Sequence, residues 1–214
     1  MKLTAIMPIK LQNERLPGKN TKLLGGKPLI HYSLFELLKS EVADEAYVFC
    51  SDPSIIPFLL DGVNFLKRDP KLDLPTSNFT QIFDAFMSIK PSDCYLYTHA
   101  TTPFVTACTI QKCVRAVQSG GCDSAFTAVK IQDFLWKDGE PFNFDAENLP
   151  RSQDIQPIYR ESSGIYVFKR EVFAKHRRRI GQNPYIHEIS IREAVDINTQ
   201  DDFELAEALI DTKI

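Results

Sequence analysis

No stretch of this 214-residue sequence approaches the ~18 apolar residues of a membrane-spanning helix. Glycine is scarce, 9 residues in all, and neither GxxxxGK[ST] nor GxGxxG is present, so the two common Gly-rich phosphate loops are excluded. Cationic excess is missing too. With 25 Lys and Arg against 28 Asp and Glu, the net charge of -3 gives no support to a nucleic-acid partner, and any anion site must be local. The five cysteines include no CxxC pair and make an odd number, which argues against a zinc site or a disulfide framework. Read as small buried hydrophobes, they fit a reducing compartment. The apolar run at residues 3–7 is too short for the apolar core of a signal peptide, so the expectation is a cytoplasmic protein. Internal repeats and low-complexity segments are also absent.

What is present is an alternation. Apolar strand-like runs at residues 3–9, 46–51, 64–68, 93–100 and 123–131 are separated by helical patterns at 28–40, 77–89 and 105–119, with a shorter one at 53–60. Strands alternating with helices predict an α/β fold: a mostly parallel, Rossmann-like sheet flanked by helices. The rhythm breaks at Gln132. Residues 132–157 are aromatic, polar and turn-rich, with Asp138-Gly139 as a hairpin signal, and predict an arm, lid or dimerisation excursion from a single domain spanning 1–214. A strand returns over 163–170, and a helix closes the chain, with Thr199 and Asp202 at capping-box spacing.

Directly after the first strand comes "PIKLQNERLPGKN", residues 8–20. It carries Lys10, Arg15 and Lys19 around a Pro17-Gly18 turn, with Asn13 and Asn20 beside them. Such a loop is either a solvated connection or a cradle for linked phosphates, which require cations and backbone N–H donors already in place. In parallel sheets ligands gather past the carboxyl ends of the strands. "THATTPF" (residues 98–104) also lies just past a strand-like run, and the segment before "AVDIN" (194–198) has a similar setting. Asp196 is a candidate Mg²⁺ ligand, because that ion favours carboxylate, water and phosphate oxygens. The "HRRRIG" run (176–181) reads as a solvated helix end.

The opening loop with "GGKPLIHYSL" (25–34), "THATTPF", "RSQDIQPIYRESSGIYVFKRE" (151–171) and "EAVDINTQDDFELAEAL" (193–209) together resemble the acylneuraminate cytidylyltransferase family, which includes ketodeoxyoctulosonate cytidylyltransferases. The pieces occur in family order across nearly the whole chain. The resemblance implies a nucleotidyltransferase-type fold that moves CMP from CTP to an acidic keto-sugar, releases pyrophosphate, uses Mg²⁺ and works as a homodimer.

It also implies roles for individual positions. Lys10 stands where the family carries an Arg on the triphosphate, Lys19 matches the phosphate-binding Lys, and Asn20 matches the cytosine-contacting Asn. Asn13 falls near the phosphates, and Arg68 looks like the Arg that helps hold the nucleotide. Arg15 and Thr101 complete the expected nucleotide set. His99 replaces a sugar-contacting Gln, and Arg151 and Tyr159 match residues near the sugar pocket, where an Arg is often lent by the partner subunit. Lys10, Lys19 and Asp196 are the expected catalytic residues. The family's metal motif is Asp-x-Asp, whereas this chain has Asp196 and Asn198 as the expected metal ligands; Asn198 can still offer a carbonyl oxygen, but one negative charge is missing. That substitution leaves open a nucleotide-binding module whose chemistry has lapsed. A GT-A-type glycosyltransferase is a weaker alternative, because no two aspartates stand two apart.

Overall fold

The computed structural model describes residues 1–211. Strand β1 (Leu3–Ile9) is buried along nearly its whole length, as its mainly apolar composition, broken only by Thr4, requires of a strand covered on both faces. A long loop leads to the short hairpin β2 (Leu23–Leu24) and β3 (Lys27–Pro28), then to helix α1 (Leu29–Lys39). Next come β4 (Glu45–Cys50), β5 (Val63–Lys67), α2 (Phe79–Ile89), β6 (Cys94–Thr98), α3 (Ala107–Gln118) and β7 (Ser124–Ile131). A second small hairpin, β8 (Trp136–Lys137) and β9 (Glu140–Pro141), precedes β10 (Ile158–Lys169), α4 (Arg170–His176), β11 (Pro184–Glu188) and α5 (Gln200–Asp211).

Seven strands form one sheet in the order β11-β7-β10-β6-β1-β4-β5. Every pairing is parallel except those of β10, which runs antiparallel to both β6 and β7. Alternate side chains of β1 face opposite layers. Leu3 and Ala5 pack with α3 through Ile110, Cys113 and Val114, and Met7 and Ile9 with α1 through Ile30 and Leu34. Ile6 points the other way, into an aromatic layer built by α2 and α4 with Phe83, Phe86, Tyr95, Phe168 and Phe173. Helix α2 starts at a capping box, the Asn78 side chain accepting from the Gln81 backbone N–H.

Three findings depart from the sequence reading. Strand β10 begins at Ile158, earlier than the apolar run that marks it, because its first residues pair with the end of β7 beyond the covered part of the sheet. Strand β11 carries little apolar signal, being an edge strand. Cys50, Cys94 and Cys113 are buried thiols, but Cys108 is exposed on α3 and Cys122 is half-buried. Residues 132–157 do hold a hairpin at Asp138-Gly139, both with positive φ (53° and 86°), the conformation a two-residue turn of this kind needs.

The opening loop and the C-terminal segment are far apart in sequence yet share a small core. Leu16, Leu24 and Leu29 bury against Ile197, Phe203 and Ala206. Burial of one leucine is worth about 2 kcal/mol, so Leu16 acts as an anchor for the loop that carries it.

Candidate functional site

The carboxyl ends of β1, β4, β5 and β6 lie along one edge of the sheet, and the loops that leave them converge. Pro17-Gly18 turns the first loop, with Gly18 in the left-handed region (φ 65°), and this aims Lys19 back toward the C-terminal segment. Lys19 is only 9% exposed. Its Nζ donates to the Ile197 carbonyl at 2.9 Å, and the Ile197 N–H donates to the Thr101 carbonyl at 2.8 Å. One chain of contacts thus ties the opening loop, the residue after Asp196 and the loop after β6. Burial pushes the Lys19 ammonium below its ordinary pKa, with the Asp196 carboxylate opposing that shift.

Lys10 lines three neighbouring cavities. The largest, about 660 Å³, lies between the first loop, Ser51 and Asp52 after β4, and Asp73–Pro75 after β5. A second, about 300 Å³, is shared by Lys10, Arg15, Lys19 and Asn198. A third, about 290 Å³, brings in Arg68. The largest falls within the range of small-molecule sites. Among the described residues the Lys10 ammonium has only a loose partner, Glu14 at 3.7 Å.

Asn13 and Asn20 brace the loop, and Asn13 also lines the two larger cavities. Both donate side-chain N–H to the Lys10 carbonyl, at 3.1 and 2.8 Å, and Asn20 is buried. Arg68 is likewise committed. The residue is 4% exposed, and its guanidinium donates to Asp73, whose other oxygen accepts from Ser51. Expected on the nucleotide, Arg68 here fixes the loop that walls the cavity, because a buried guanidinium requires a carboxylate.

His99 sits at the end of β6. Its Nδ1–H donates to the Ser163 carbonyl at 2.6 Å, which leaves Nε2 as the ring's acceptor. A register shift in β10 between Glu161 and Tyr166 presents that carbonyl. Gly164 is required there, since a Cβ would meet Thr127 Oγ1 and Val105 Cγ2 at 2.9 Å. Burial holds the His99 pKa below the ordinary value, and the nearby Arg179 charge adds to the effect.

The metal question turns on Asp196. Its Oδ1 is buried and has no hydrogen-bond partner among the described residues, which suits a carboxylate kept open for a cation. Asn198 is already engaged by protein groups. Its Oδ1 accepts from Arg15 Nη2 at 2.8 Å, and its backbone N–H joins that of Thr199 in donating to Asp202. No group of three or more His, Cys, Asp and Glu side chains gathers among the described residues. The residues therefore fit a Mg²⁺ anchored by one carboxylate and completed by phosphate and water oxygens.

Arg151 and Tyr159 are not drawn into this cluster. Arg151 is exposed and paired with Asp154 at 2.7 Å within the 132–157 excursion, and Tyr159 is exposed at the start of β10. Sequence reasoning missed Arg179, which leaves the supposed solvated run and stacks on Tyr166, its guanidinium 3.6 Å from the ring centroid. Its neighbours show why no pattern gave it away. Arg177 pairs with Asp84 and Arg178 donates to the Gly181 carbonyl, so three consecutive arginines meet three different fates.

The chain is 22% identical over 214 residues to the N-acylneuraminate cytidylyltransferase of Streptococcus agalactiae serotype V, matching 95% of this chain and 52% of that protein. It is 25% identical over 230 residues to the CMP-N,N'-diacetyllegionaminic acid synthase of Legionella pneumophila, over 99% of this chain and 97% of the relative. It therefore spans about half the length of the first relative and nearly all of the second. Among solved structures, a CMP:2-keto-3-deoxy-manno-octonic acid synthetase complexed with CTP shares the fold, with TM-score 0.74 at 17% identity over 100% of both chains. A family model for cytidylyltransferases matches residues 4–214, and the chain belongs to the cytidylyltransferase family.

Proposed function

We propose that this chain is an enzyme that transfers CMP from CTP to an acidic keto-sugar and releases pyrophosphate. The observation that carries the reading is the joint position of Lys10, Lys19 and Asp196. Lys10 and Lys19 share a cavity, and Lys19 bonds to the carbonyl of the residue that follows Asp196. A cytidylyltransferase family match and relatives that make CMP-activated sugar acids supply the nucleotide and the acceptor class.

In this reading the anomeric hydroxyl of the sugar attacks the α-phosphorus of CTP, forming the new P–O bond as the bond to pyrophosphate breaks in line and the hydroxyl proton passes to water. Lys10 and Lys19 neutralise the triphosphate and hold it in place, with Arg15 at the outer rim and Asn13 and Asn20 keeping the loop rigid. The nucleoside lies in the large cavity beside Ser51 and Asp73, its wall fixed by Arg68. Thr101 faces the nucleotide, and neutral His99 borders the acceptor. Asp196, and less directly Asn198, would hold Mg²⁺, which when bound offsets the charge of the phosphate oxygens.

Arg151 and Tyr159 border the sugar only if a second copy of the chain docks on the 132–157 excursion. The proposal includes that homodimer, since Trp136, Phe142 and Leu149 are exposed there. It also takes residues 1–214 as one domain with 132–157 as its arm. The buried free thiols agree with a cytoplasmic setting.

The test is incubation with CTP, Mg²⁺ and a panel of ulosonic and nonulosonic acids, with mass detection of products. A CMP-sugar and equimolar pyrophosphate are expected with at least one acid. CTP bound but no turnover across the panel would leave the lapsed binding module as the better reading.

A further inference from the structure

Arg179 has one carboxylate neighbour, Glu161, which engages only one of its three nitrogens. Its guanidinium carbon lies over the Tyr166 ring, 3.6 Å from the centroid, and 5.4 and 6.0 Å from the Phe79 and Tyr97 ring centroids. That aromatic cradle removes the freedom that an arginine side chain ordinarily keeps. The Tyr166 ring centroid is in turn 6.4 Å from that of His99. Arg179 therefore stands on the acceptor side of the proposed site.

Its hydrogen bonds are one-sided. Nη2 donates to Glu161 Oε1 at 3.0 Å and to the Tyr166 hydroxyl at 2.9 Å. A guanidinium has five N–H groups, and among the described residues those on Nη1 and Nε make no hydrogen bond. The counter-ion is the more solvated partner, with side-chain exposure of 43% for Glu161 against 27% for Arg179. Exposed ion pairs are weak, so a carboxylate with two well-placed oxygens can compete for the fork.

We infer that Arg179 holds the carboxylate of the sugar acid, with Glu161 as its resting counter-ion and Tyr166 as its platform. The inference rests on the proposed function and deepens it. In a 2-keto sugar acid the carboxylate is borne by the anomeric carbon itself. The group that grips the carboxylate therefore also aims the attacking hydroxyl, here toward His99. The chain's own arginine would then select acids over neutral sugars, without an arginine from a second subunit.

The test compares wild type with Arg179→Met, Arg179→Lys and Glu161→Gln, using N-acetylneuraminic acid, 3-deoxy-manno-octulosonic acid and their methyl esters as probes. Calorimetry measures binding of each probe and, separately, of CTP with Mg²⁺. Arg179→Met is expected to weaken acid binding by about 30-fold or more while CTP binding stays within a factor of about two. The preference for acid over methyl ester should vanish with it. Arg179→Lys keeps the charge but loses the fork, and should fall between. Glu161→Gln should tighten acid binding, a change that a purely structural role for the pair does not produce, and it serves if Arg179→Met fails to fold. Unchanged acid binding in Arg179→Met, or weakened acid binding in Glu161→Gln, overturns the inference and leaves CMP transfer standing. A wild type that binds CTP but no acid probe overturns it as well. A wild type that binds neither removes the proposed function itself.

Discussion

The Lys19 ammonium donates to the Ile197 carbonyl at 2.9 Å across 178 positions of sequence. The contact joins the one buried lysine of the opening loop to the segment that carries Asp196. It is made in a small core of Leu16, Ile197 and Phe203, so the geometry is held by packing as well as by charge.

Lys19→Met should lower kcat/KM by about 100-fold or more, since removal of one positioned donor to a developing charge commonly costs that much. Lys19→Arg should recover little, because a longer planar group cannot occupy the same buried pocket. Steady-state kinetics with CTP as the varied substrate decide it. A variant within a factor of about three of wild type would show that Lys19 is structural.

Asp196→Asn should abolish the Mg²⁺ dependence of turnover while leaving the fold intact. The loss should be at least about 100-fold, since even outer partners of metal ligands are worth 10–100-fold. Asn198→Asp should lower the Mg²⁺ concentration for half-activation by up to about tenfold by adding a carboxylate. Magnesium titrations of both variants test this. If wild type is inactive and Asn198→Asp activates it from near zero, the lapsed-module reading gains.

Arg68→Met should destabilise the fold by about 3 kcal/mol, because it strands Asp73 without its guanidinium. Urea denaturation measures the change. A midpoint equal to that of wild type would mean that Arg68 is free to serve the nucleotide alone.

His99 gives a pH signature. Its folded pKa lies below the ordinary 6.5, so the unfolded chain binds the proton more readily. His99 therefore reduces stability as pH falls from about 6.5 toward its folded value, and has no such effect at neutral pH. The melting-temperature difference between wild type and His99→Gln should shift against wild type between pH 7.5 and 5.5, values chosen to span that window. A difference that does not change with pH would contradict the buried, neutral ring.

The fold was legible because its central strands are continuous apolar runs and its helices begin at recognisable caps, as at Asn78. Strand β11 was not, since an edge strand needs no such run. Within the site, charged side chains after strands marked Lys10, Lys19, Asp196 and His99. The contacts that unite them are to backbone carbonyls of Ile197, Thr101 and Ser163, which no residue type announces. Arg68 was placed at the right strand end, but its partner Asp73 could not be read from the pattern. Arg179 stayed hidden because its direction is set by Tyr166, across the β10 bulge.

A calorimetric titration with CTP, CDP and CMP in the presence of Mg²⁺, on wild type and Lys19→Met, bears most directly on whether residues 8–20 cradle linked phosphates. Wild type should bind in the order CTP, CDP, CMP, with the variant reducing CTP to the level of CMP. Equal affinity for all three nucleotides, or an unaltered preference for CTP in the variant, would contradict the cradle and the reaction built on it.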